Sequence, residues 1–175
     1  MLRYTLFLGM LLNFVALTLP TSQIFQEVVE TPAYPLTNLQ EHTKTYLNET
    51  AEQWQANADS TLFTTENDLL LYNRQSVKHP IGQVTYRVSI DLKEEKYRYT
   101  IDSAFFRAYH RNRYSRYVPQ RGAAIPYQQA QATFSAKDRA RYEKQLLKKI
   151  NSRFQSFRSF LSPPPPTPPK TEDTW

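Results

Sequence analysis

The sequence predicts a two-layer α+β domain, an antiparallel sheet with two helices covering one face. Three observations carry this. Residues 84–92 alternate apolar and polar side chains without a break, the period of a half-buried strand. Residues 36–54 and 135–161 instead repeat apolar side chains every three or four positions, the period of an amphipathic helix. Short turns link the alternating segments, so the sheet is built from hairpins. The predicted order is strand, helix, four strands, helix.

Each element has its own warrant. IFQEVVE (24–30) is a short apolar-rich run, and Pro32 and Pro35 follow it, which reads as a first strand and a turn. In the next segment Leu36, Leu39, Thr43, Tyr46, Leu47, Thr50 and Trp54 mark one helix face, with Thr37 and Gln40 as a capping signature. STLFTTENDLLLYNRQSV reads as two strands around a turn at Glu66–Asp68, and His79-Pro80 with Gly82 as a further turn.

The most fully specified stretch is VTYRVSIDLKEEKYRYTIDSAFF. Reversal at Glu94–Glu95 sets Leu92 opposite Tyr97, Ile90 opposite Tyr99 and Val88 opposite Ile101 on one face. On the other face Asp91 meets Arg98 and Arg87 meets Asp102. Opposed pairs of this kind stabilise a sheet by roughly 0.2–1 kcal/mol each. A slip of one residue would turn every side chain to the wrong face. Ser135 and Asp138 form a second capping signature, ahead of a stripe of Tyr142, Leu146, Ile150, Phe154, Phe157 and Leu161.

The ends frame a single domain at 23–161. Residues 1–22 carry Arg3, an apolar run and a small-residue exit, the layout of a secretory signal peptide. An uncleaved anchor helix is the other reading, and both place the rest of the chain outside the cytoplasm, in the periplasm or cell envelope. Residues 162–175 are proline-rich and predict a disordered tail.

Two stretches, EVVETPAYPLTNLQEHTKTYL and VTYRVSIDLKEEKYRYTIDSAFF, resemble an exported bacterial family, domain of unknown function 4468, whose fold is TATA-binding-protein-like (TBP-like). Its members similarly show a strand ending in Val-Glu, a helix after a short turn, and a late hairpin that returns as Tyr-Arg-Tyr-Thr-Ile. The resemblance covers residues 24–108 and, in outline, the final helix. It implies the fold and export. It transfers no catalytic residue, because the family has no assigned activity, and the name of a fold does not import DNA binding. One departure is Glu94–Glu95, where such hairpins carry Asp-Gly, so a turn of another type or length is expected.

Chemistry is sparse. With no cysteine, thiolate catalysis, disulfides and thiolate metal sites are excluded. Only Gly82 and Gly122 follow the apolar leader, too few for a phosphate-cradling loop. His42, His79 and His110 lack metal-ligand spacing, and Asp91 and Asp102 each face an arginine. No enzyme activity, metal or cofactor is expected. Tyr46, Tyr86, Tyr97 and Tyr99 suit core packing, or the wall of a small-ligand pocket between sheet and helices.

Charge is the remaining signal. Residues 24–106 carry a net −5 and residues 107–161 a net +11. Within the second half, residues 109–134 form a long basic connection without clear period, beginning in FFRAYHRNRYSRYVPQRG. Arg107, Arg111, Arg113, Arg116 and Arg121 are the candidate contacts for an anionic partner. Interleaved aromatics also suit single-stranded nucleic acid, which export disfavours. The expectation is therefore an exported, non-enzymatic binding or assembly domain whose partner is an anionic envelope component or another envelope protein. A carrier of small ligands is the alternative.

Overall fold

The structure, a computed structural model, describes residues 23–162 apart from 32–33, 52, 57–59 and 75–76. The leader at 1–22 and the proline-rich segment from Pro163 onward lie outside the described residues. In chain order the elements are β1 (Phe25–Glu30), α1 (Leu36–Thr50), β2 (Trp54–Ala56), β3 (Thr61–Arg74), β4 (Val77–Lys93), β5 (Lys96–Arg111), β6 (Tyr117–Pro119), β7 (Ile125–Pro126), α2 (Tyr127–Thr133) and α3 (Ala136–Leu161). The sheet runs β1-β5-β4-β3-β2, and β6 and β7 add to β5. The α+β class and antiparallel sheet stand, with seven strands and three helices among the described residues, where four strands after the first helix and two helices were expected.

The β4–β5 hairpin has the register its sequence pattern requires. Leu92 pairs with Tyr97, Ile90 with Tyr99, Val88 with Ile101, Asp91 with Arg98 and Arg87 with Asp102. The first three pairs are buried beneath the helices. On the uncovered face Arg98 Nη2 lies 2.7 Å from Asp91 and Arg87 Nε 2.9 Å from Asp102. The turn has two residues, and Glu95 takes φ 59°. Glu94 does not share the positive φ, so this is not the Asn-Gly type of turn, which needs it at both positions.

Several expectations require correction. The turn at Glu66–Asp68 does not exist: β3 is one continuous strand of 14 residues. Leu62, Thr64, Asp68 and Leu70 are buried on its inner face, with Glu66 half-buried between them, so the parity never breaks. Two acids inside an alternating strand imitate a turn in sequence because their partners are remote. His79-Pro80 and Gly82 also lie inside a strand, β4. A register shift between Leu70 and Leu71 leaves Ile81 as the extra residue of a bulge. A bulge is one of the few places where a strand accepts proline. Gly82 is required there because a Cβ would stand 2.3 Å from the Phe106 ring.

A second bulge sits opposite Tyr86, where Ser103 adopts φ 53°. It shifts the inward set of β5 from Tyr97, Tyr99 and Ile101 to Ala104 and Phe106. The expected cap at Thr37 is absent: α1 starts at Leu36 behind Pro35, without a side-chain cap. Trp54 leaves the helix and opens β2, donating its ring N–H to Asn48 at 2.8 Å. Ser135 does cap α3, accepting from the Asp138 backbone N–H at 3.2 Å. The α3 stripe is buried from Tyr142 to Leu161 in the predicted order.

Candidate functional site

The basic connection is organised. β5 runs on to Arg111 and folds back as a hairpin with β6, pairing Arg111 with Tyr117, His110 with Val118 and Tyr109 with Pro119. Asn112 shapes the tip, because its side-chain oxygen accepts from the backbone N–H groups of Tyr114 (2.9 Å) and Arg116 (3.0 Å). Asn is suited to this local bonding. Just below the tip Tyr117 stacks on His79, 4.8 Å between centroids, and His79 stacks on Tyr72 at 5.0 Å. The chain then lays β7 against Phe105 and Phe106 and enters α2, which buries Tyr127 and Ala130. The 109–134 stretch lacked visible period because it changes structure every few residues.

All five candidate arginines are exposed. Arg107 and Arg111 lie on β5, Arg113 and Arg116 in the hairpin loop, and Arg121 beyond β6. Among the described residues none of the five forms an ion pair with a carboxylate. Arg113 instead lies over the Tyr114 ring at 4.8 Å. The hairpin thus gathers Arg111, Arg113 and Arg116 in one tight loop and presents them to solvent.

A second polar group was not foreseen. Asp68 is only 5% exposed and sits on β3 beneath α3. It accepts from the Tyr86 hydroxyl at 2.7 Å, from Lys149 Nζ at 3.1 Å, and from both Nη atoms of Arg153. Arg153 Nε lies 3.6 Å from Glu66. Lys149 also donates to the Leu69 carbonyl at 3.1 Å, and Gln145 bonds both backbone groups of Leu71 (3.0 and 2.8 Å). Gln145, Lys149 and Arg153 are four residues apart, so they form one row along α3. That row fastens the helix to β3 beyond the reach of β2, which pairs only with Leu62, Phe63 and Thr64. The readable clue was Arg153 standing inside the apolar stripe of α3.

Burial pushes the Asp68 carboxyl up, but hydrogen bonds from Arg153, Tyr86 and Lys149 and the charge of Arg153 outweigh it, leaving it below its usual value. Burial and the neighbouring Asp68 hold the Tyr86 phenol well above its usual value. Burial opposes the charge of Arg153, yet its bond to Asp68 and the surrounding anions raise it overall. With Asp68 ionised, Tyr86 protonated and Arg153 cationic, the cluster is a fixed ionic clamp with no proton to exchange near neutrality.

A cleft of about 340 Å³ opens beside this clamp, between α1, α3 and the sheet. Leu47, Val88 and Ile90 are apolar parts of its lining, and Tyr46, Tyr99, Glu66 and Arg153 are also at its walls. Of the four tyrosines considered from sequence, Tyr46 and Tyr99 therefore line this cleft. Tyr86 joins the clamp, and Tyr97 packs edge-on against Phe157 at 5.1 Å, its hydroxyl buried without a hydrogen bond. His42 packs against Tyr34 at 5.3 Å. Among the described residues no group of His, Asp or Glu is arranged to hold a metal.

These features define an α+β domain of TBP-like fold. Solved structures with the same architecture include a DUF4468 family protein from Bacteroides ovatus, with TM-score 0.57 and 9% identity over 82% of this chain and 88% of that one. A TBP-like protein from Parabacteroides distasonis gives TM-score 0.57 and 12% identity over 78% and 90%. No family model and no curated protein matches the sequence. At such identities the likeness establishes the shared fold, the one that the resemblance to DUF4468 implied.

Proposed function

We propose that this chain is an exported, non-enzymatic binding domain of the cell envelope that engages an anionic component through its arginine hairpin. The observation that carries the reading is the absence of any carboxylate partner for Arg107, Arg111, Arg113, Arg116 and Arg121 among the described residues, while Lys149 and Arg153 are matched to Asp68 and Glu66. Five exposed guanidiniums in one region create a positive field that draws anions. Retention of the chain on immobilised dextran sulfate tests this. It should be strong at low salt and lost as ionic strength nears about 1 M, where screening shrinks to ~3 Å. Retention indifferent to salt would contradict it.

The cleft beside Arg153 supports a second reading, a carrier. Its size falls at the lower end of ligand pockets, which run about 300–1,000 Å³, and its lining mixes apolar side chains with one ion pair. Native mass spectrometry of protein purified from its own source would reveal a retained small molecule. Ser152→Trp, which fills the cleft, should release it.

A further inference from the structure

The hairpin exposes more than charge. Alternate residues of a strand share a face, so Phe105, Arg107, Tyr109 and Arg111 form one row along β5. Phe105 is 43% exposed, and Arg107 and Arg111 are exposed. β4 pairs with β5 only as far as Ala108, and the three residues beyond it pair with β6 alone. At the tip Tyr114 is 66% exposed, more than any other large hydrophobic side chain among the described residues. No acidic residue occurs between Asp102 and Asp138. The tip therefore combines an outward aromatic ring, flanking arginines and no repelling carboxylate, in a turn already fixed by Asn112.

We propose that the hairpin is a membrane-docking element that seats on an anionic bilayer surface. Tyr114 enters the headgroup layer, and Arg111, Arg113 and Arg116 bond the lipid phosphates. This rests on the reading of the hairpin as an anion contact and names the anion. A soluble polyanion would use the arginines alone, whereas an exposed tyrosine at a convex tip matches the bilayer interface, where aromatic rings lie at headgroup level. Arginine suits the same depth, since its stem contacts apolar matter while its planar head binds phosphate. Because the loop is held by its own hydrogen bonds, little order is lost on docking.

The test uses the full chain carrying Tyr114→Trp, with vesicles of phosphatidylcholine alone or with about a third phosphatidylglycerol, and dextran sulfate as the soluble polyanion. The full chain carries the apolar run at residues 4–19, so the readout is the difference between the two vesicles. The emission added by Tyr114→Trp should shift to the blue on the anionic vesicles and stay unshifted with dextran sulfate. Each Arg→Ser change in the hairpin should weaken the anionic preference about fivefold. Tyr114→Ser should weaken the preference for anionic vesicles severalfold and leave dextran sulfate binding unchanged. If Tyr114→Ser binds vesicles like the unaltered chain and no blue shift occurs, membrane docking is overturned. The anion-contact reading then survives so long as dextran sulfate is still bound in a salt-sensitive way. If neither surface is bound with salt sensitivity, both fall.

Discussion

Two sets of basic side chains in the second half of the chain meet opposite fates. Lys149 and Arg153 reach back across the sheet to Asp68 and Glu66, in a site where Asp68 is almost wholly enclosed. The hairpin arginines meet solvent and an aromatic ring. The charge asymmetry of the sequence is therefore only partly cancelled inside the fold. Ion pairs gain strength as the surrounding dielectric falls, whereas exposed charges are screened. The first set should consequently govern stability and the second set binding, with little exchange between the two roles.

The comparison breaks most visibly at Asp68. Asp68→Ala strands Lys149, Arg153 and the Tyr86 hydroxyl around an apolar methyl. Removing one partner of a buried pair costs about 3–5 kcal/mol, and partial exposure of Arg153 brings the expected loss to about 2–4 kcal/mol. Denaturant unfolding measures it. The same residue sets the acid limb. Against the cost of burial, Arg153, Tyr86 and Lys149 hold its folded carboxyl below the ordinary aspartate value, so its stabilisation is fully present above that ordinary value and is lost as pH falls through the lower folded one. The melting temperature should fall in this acid range, and fall less steeply in Asp68→Asn.

Gly82→Ala comes next. The new methyl meets the Phe106 ring at 2.3 Å, and overpacking of this kind costs about 1–3 kcal/mol. A smaller effect belongs to the uncovered face. Arg87→Asp sets two like charges opposite each other beside Asp102 and should cost up to ~1 kcal/mol. Exchanging Arg87 and Asp102 together should cost little. A full loss in the exchanged variant would mean that the position, and not the pairing, matters.

Sequence legibility followed the range of the interactions. The β4–β5 register was readable because its apolar and charged pairs repeat across a short turn, so neighbouring residues testify to one another. The α3 stripe was readable for the same reason, and Ser135 capped it as its spacing indicated. The bulges at Ile81 and Ser103 were not readable, since each answers to packing on another strand, as Gly82 does to Phe106. Asp68 was misread because the cations that make an inward carboxylate tolerable lie 81 and 85 residues away along the chain. The five arginines were identified individually, while the hairpin that gathers three of them depends on Asn112 and on the stack of Tyr117 upon His79.

The division of labour is tested most directly by Arg111→Ser, Arg113→Ser, Arg116→Ser and Arg121→Ser combined in one chain. Its melting temperature and its retention on an anionic surface are measured side by side with the unaltered protein. These side chains form no ion pair among the described residues, so the melting temperature should change by no more than a few degrees, as surface substitutions usually cost within about 0.5 kcal/mol, while retention is abolished. An unfolded or strongly destabilised variant would show that the arginines hold the fold together, and a stable variant retained as before would show that their charge plays no part in binding.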